Sequence, residues 1–155
     1  MNHEESKLQQ QCVAWFRAQY PQYAMLLTHP ANEGNGNRVS GAIHKAEGTV
    51  AGVPDLLLFM PSFTLLERYN GLGIEMKTMR GRQTQQQKDF QEMIEAAGYK
   101  YVVVRRLEEF VIVIRKYIDN APTQLKKNIS SVHAEITKAA EEREKEKFYK
   151  VIGKK

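Results

Sequence analysis

Asp55 opens an apolar run, Leu56-Leu57-Leu58-Phe59-Met60, and a second segment reads Ile74-Glu75-Met76-Lys77. A strand alternates its side chains, so Glu75 and Lys77 share one face while Met76 points to the other. If the two segments are neighbouring strands, Asp55 and Glu75 come within reach of one divalent cation, with Lys77 beside them. Two carboxylates and an amine suit hydrolysis of a phosphodiester, which needs an activated water, charge neutralisation on the phosphate and help for the leaving oxygen. A magnesium ion serves all three. It prefers oxygen ligands and keeps several waters, and the main-chain oxygen of Met76 lies between the two functional side chains as a further ligand. Lys77 is placed to hold the attacking water or to stabilise developing negative charge. The plainer account is an ion pair, Glu75 with Lys77, on an edge strand. Against it stands the context: both charges lie in or at the ends of apolar strands, where an unpaired charge is costly.

The elements that must position these residues follow from periodicity. Residues 4–19 read as a helix, with Leu8, Cys12, Val13, Trp15, Phe16 and Tyr20 on one stripe and Pro21 as its stop. Glu5 lies near the middle of that stripe, an inward place for a carboxylate. It is either a site residue or a first-turn acid favoured by the helix macrodipole. Tyr23 to His29 reads as a short strand. The Asn32–Asn37 stretch is a turn-rich loop, and residues 40–47 a short helix. Leu72 to Thr78 is a strand, and Thr84 with Gln87 forms a capping box for a helix over 85–97. Gln87 is then either a capping residue or a neighbour of the active site, one side chain being ill suited to both. Tyr99 to Val104 is a buried strand. Residues 107–119 alternate between helix and strand readings, and the longer period with Glu108-Glu109 in a first turn favours helix. Asn120-Ala121-Pro122 is a boundary, beyond which a helix runs from Thr123 to about residue 147. Its stripe, Leu125, Ile129, Val132 and Ile136, must bury against this domain or a second subunit.

A chain of 155 residues with 42% hydrophobic and 26% charged residues fits one globular domain. The net charge of +5 is compatible with a polyanionic partner without requiring one. The single cysteine, Cys12, excludes an internal disulfide framework and a Cys-rich zinc site and fits a reducing cytosol. No signal-type segment is evident, and nothing approaches the roughly 20 apolar residues that span a bilayer.

Taken in order, Glu5-Ser6-Lys7-Leu8-Gln9, Gly52-Val53-Pro54-Asp55-Leu56, Ile74-Glu75-Met76-Lys77-Thr78, Gly81-Arg82 with Gln87-Lys88, Ala97-Gly98-Tyr99 and Val102-Val103-Val104-Arg105 resemble the VRR-Nuc family. That family is a branch of the PD-(D/E)XK nucleases. The resemblance implies an α/β fold, a restriction-endonuclease-like core with a central mixed β-sheet flanked by helices, over residues 1–120. Residues 121–155 would be an added C-terminal helical extension. It implies Asp55, Glu75, Lys77, Glu5 and Gln87 as catalytic residues and Asp55, Glu75, Met76 and Glu5 around Mg²⁺ or Mn²⁺, with Gln9 in a secondary role. The compact bacterial and phage members resemble homodimeric Holliday-junction resolvases. The expected activity is therefore a metal-dependent endonuclease on branched DNA such as junctions or flaps, working as a homodimer in the cytoplasm of a bacterial or phage-infected cell. Arg38, Lys45, Arg80, Arg82, Lys88, Arg105 and Arg106 are the expected contacts to DNA phosphates. The alternative is a non-catalytic DNA-binding or assembly subunit that keeps a nuclease-like fold.

Overall fold

The computed structural model describes residues 3–30 and 46–152. The predicted Asn32–Asn37 loop, Arg38, Lys45 and most of the predicted 40–47 helix lie outside the described residues. Helix α1 spans His3–Gln19. Pro21 then starts a 3₁₀ turn, Pro21–Leu26, so the strand expected from Tyr23 shrinks to β1, Leu27–Thr28. The physical reason is local: proline fixes φ for a helical first turn, and Tyr23 is buried by stacking beside Tyr20 at 6.1 Å rather than by pairing in a sheet.

Strand β2 is Leu56–Leu58, and a hairpin absent from the sequence reading follows, β3 at Ser62–Phe63 and β4 at Arg68–Tyr69. Strand β5 is Leu72–Met76, helix α2 Gln85–Ala96, strand β6 Lys100–Val104, helix α3 Leu107–Asp119 and helix α4 Thr123–Ile152. The helix reading of residues 107–119 holds. The main sheet has the order β1-β2-β5-β6. β1 with β2 and β2 with β5 are antiparallel, whereas β5 with β6 is parallel, joined through α2. It is a mixed sheet flanked by helices, as expected.

The two faces of the sheet divide the labour. Leu56, Leu58, Leu72, Ile74 and Met76 face one way and join Cys12 and Phe16 of α1 and Phe110 and Ile114 of α3 in the core, each at most 1% exposed. Burial of each large apolar side chain contributes about 1.5–3 kcal/mol. On the opposite face lies Gly73, where an added Cβ would meet Ile94 of α2, Pro54 and Tyr101 at 3.0 to 3.2 Å. That glycine lets α2 lie close to the sheet. The first turns of α4 add Leu125 and Ile129 to the core edge, while Phe148, Tyr149, Val151 and Ile152 farther along are exposed. Among the described residues no helix is long and apolar enough to cross a membrane.

Candidate active site

The β2–β5 register pairs Leu56 with Ile74, so one step further along Asp55 stands opposite Glu75. Directly opposed residues of an antiparallel pair share a face, and here it is the α2 face. The Met76 amide donates to Asp55 Oδ2 at 2.7 Å, which orients that carboxylate at the strand end. Burial raises the Asp55 pKa from its ordinary value, the Met76 amide and the Lys77 charge work against the rise, and the Glu5 charge adds to it.

Glu75 is 1% exposed. Its Oε1 accepts from Lys77 Nζ at 2.5 Å and from Gln87 Nε2 at 2.5 Å, and its Oε2 accepts from Tyr101 Oη at 3.3 Å. Burial pushes the Glu75 carboxyl up to about 7; the Lys77 hydrogen bond opposes that rise, and the Asp55 charge reinforces it. Lys77 is itself 8% exposed, and its amide donates to Val104 O at 2.9 Å, which extends the strand ladder by one residue beyond β5.

Gln87 resolves the choice left by the sequence. Its Oε1 accepts from the Thr84 amide at 2.9 Å, and Thr84 Oγ1 accepts from the Gln87 amide at 3.3 Å, completing the capping box. Its Nε2 still reaches Glu75. The expectation that one side chain could not do both is overturned, because a primary amide carries an acceptor and donors at opposite ends. Gly52 makes the approach possible. It adopts φ +89°, and a Cβ there would collide with the main-chain carbonyl of Gln86. The loop before Asp55 therefore touches the start of α2.

Glu5 reaches the site from the other layer, its Oε1 accepting from the Thr78 amide at 3.2 Å. Among the described residues no group of three or more His, Cys, Asp or Glu side chains forms a ready cation cage. Asp55 and Glu75 are thus the acidic pair, and the Glu5 carboxylate engages the turn after β5. Gln9 is buried on α1. Of the basic residues, Arg80, Arg82 and Lys88 are exposed around that turn and the start of α2. Arg105 is occupied differently: its Nη1 donates to Thr78 O at 2.6 Å and Gly81 O at 2.9 Å, stapling the turn to the end of β6. Arg106 is exposed and pairs with Glu109 at 3.3 Å.

Two site neighbours escaped the sequence reading. Tyr101 binds Glu75, and burial raises its phenol pKa. His29 Nδ1 lies 2.6 Å from Asp55 O; since a carbonyl only accepts, that nitrogen carries the proton. Tyr101 was legible only as one aromatic in a buried strand, and His29 only as a strand end.

The donor set suits a hard divalent cation. Two buried or half-buried carboxylates on one sheet face, both with pKa values raised in the metal-free protein, supply oxygen ligands whose charge lacks full compensation. That chemistry fits Mg²⁺ or Mn²⁺ completed by water.

Strand-end carboxylates, an adjacent buried lysine and a helix-borne glutamine on a mixed sheet flanked by helices make up a nuclease-like α/β domain. The VRR-NUC domain profile matches residues 1–106, and the chain belongs to that family. A solved structure described as a VRR_NUC domain protein is similar, with a TM-score of 0.64 and 26% identity over 77% of this chain and 92% of that one. No curated protein matches.

Proposed function

We propose that this protein is a metal-dependent endonuclease of the PD-(D/E)XK type that hydrolyses DNA phosphodiester bonds. The carrying observation is the convergence of Lys77 and Gln87 on buried Glu75, with Asp55 opposite on the neighbouring strand. Asp55 and Glu75 would hold Mg²⁺ or Mn²⁺, with Met76 O and Glu5 as additional oxygen donors. When bound, the cation supplies Lewis acidity and a water of lowered pKa. The remaining work belongs to the chain. Gln87 and Tyr101 fix the Glu75 carboxylate. Lys77 places a positive charge where the attacking water and the phosphate gain negative charge, and this positioned charge is effective because the ammonium is buried. Water oxygen bonds to phosphorus as that water gives up a proton to solvent, the ester P–O bond breaks, and the departing oxygen takes a proton from solvent.

Selectivity for branched DNA, junctions or flaps, and action as a homodimer form part of the proposal. They rest on the resemblance to resolvases rather than on a contact between copies.

The test is a cleavage panel: a four-way junction, a flap and plain duplex, each with Mg²⁺, Mn²⁺ or EDTA. Metal-dependent cutting of the branched molecules, lost in Asp55→Asn, is expected. DNA binding with no cutting under any metal would replace this reading by a non-catalytic subunit.

A further inference from the structure

A groove of about 760 Å³ runs along α1, and His3, Ser6, Gln10 and Arg17 line it with His29. These α1 residues recur at helical spacing, so they form one line of side chains from the first turn to the last. From Ser6 to Arg17 the line covers roughly 16 Å at the α-helical rise. Gln10 Nε2 contacts Ser6 Oγ at 3.4 Å, so the polar groups are neighbours along it. Among the described residues no carboxylate lines the groove, and its polar side chains on α1, His3, Ser6, Gln9, Gln10 and Arg17, can each donate to a phosphate oxygen. The groove is also tied to the site. His29, on its wall, donates from Nδ1 to the main-chain oxygen of Asp55, so the ring ties the groove to the strand end and leaves the phosphate contacts to α1. Glu5, on the same helix as the lining residues, binds the turn that follows Lys77.

We propose that this groove seats the sugar-phosphate backbone of a nucleic-acid strand running away from the scissile phosphate, with Arg17 as its distal phosphate contact. The inference rests on the nuclease reading and assigns that reading a strand path. Helix α1 then has two roles, since its inward face fills the core through Cys12 and Phe16 while this other face guides substrate. At about 3.4 Å of helical axis per phosphate along one strand, the line of donors is long enough to meet several phosphates. Such contacts position the strand without reading its sequence.

The experiment uses the full-length chain carrying Asp55→Asn, with Mg²⁺, and measures fluorescence anisotropy of labelled duplex and junction DNA across a salt series. Arg17→Glu is expected to weaken binding by at least about tenfold and to lower the salt slope by about one. Gln10→Lys adds a cation in the groove and is expected to tighten binding and steepen the slope, a gain that misfolding cannot mimic. Lys147→Glu, far along α4, serves as the control and is expected to bind as the parent does. Arg17→Glu indistinguishable from Lys147→Glu, or Gln10→Lys without tighter binding, would overturn the groove. Cleavage by the unsubstituted chain is scored separately. Binding that follows this pattern in a chain that never cuts sinks the nuclease reading and leaves the groove standing. Cutting with binding indifferent to Arg17 does the reverse, and no binding to any DNA overturns both.

Discussion

Glu75 receives hydrogen bonds from Lys77, Gln87 and Tyr101, and burial nevertheless holds its carboxyl at about 7 against an ordinary value of 4.5. Between those two values the unfolded chain is ionised while the folded, metal-free chain retains its proton. Metal-free stability should therefore fall as pH rises from 4.5 to about 7 and level off above. Asp55, shifted in the same direction, adds to that fall. Thermal melts in EDTA across this range are expected to show it, and Glu75→Gln to flatten it; a parent protein whose stability rises through the window contradicts the assignment. Because ligating carboxylates must be ionised, cation affinity should weaken below about pH 7. Lys77→Ala should reduce cleavage by about 10²-fold or more while leaving DNA binding near the parental level, read from single-turnover rates beside anisotropy. Asp55, Glu75 and Lys77 were legible in the sequence because charges beside apolar strands are conspicuous and the alternation of a strand is local. Tyr101 and His29 were not, since only the parallel pairing of β6 with β5 and the path of the 3₁₀ turn bring them to the site.

The start of α2 depends on contacts from outside the helix. Its capping box uses one end of the Gln87 amide and the Glu75 carboxyl the other, while Gly52 packs against the Gln86 carbonyl. Gly52→Ala faces both a strained positive φ and a steric conflict, and should destabilise the protein by about 2–3 kcal/mol. The same substitution should depress cleavage, by moving Gln87 away from Glu75. Calorimetry and cleavage rates on one preparation check both, and an unchanged melting temperature would rule out the close approach. Phe16→Ala, by contrast, removes core volume on the other face and should cost about 3–5 kcal/mol without a specific effect on the chemistry. Helical elements were largely legible: the 3.6-residue period of α3 decided its type despite β-branched residues, and Thr84 and Gln87 signalled a cap. The β3–β4 hairpin was missed because two-residue strands offer no period to detect. It exists through tertiary bonds, Ser62 Oγ to Tyr117 O at 2.9 Å and Phe63 N to Asn120 O at 2.9 Å.

Across the whole molecule, the site draws on three layers: Glu5 from α1, Asp55, Glu75 and Lys77 from the sheet, and Gln87 from α2. Activity in urea should therefore disappear together with global unfolding measured by circular dichroism, and cutting that fails well before the fold does would show that one layer undocks by itself. Light scattering is expected to give twice the chain mass, as paired incision by a symmetric particle requires; a monomer at working concentration would rule that assembly out. The family's general plan was readable from ordered short motifs, whereas the mutual placement of the layers needed coordinates. One further consequence comes from polarity along the strands. β2 leaves the candidate site at Asp55 and β5 returns to it at Glu75, so the β3–β4 hairpin between them projects from the opposite pole, with Leu65 and Leu66 fully exposed at its tip. That tip is a natural place to attach a fluorophore or to anchor the enzyme to a glass surface, with its cutting end left facing the solution.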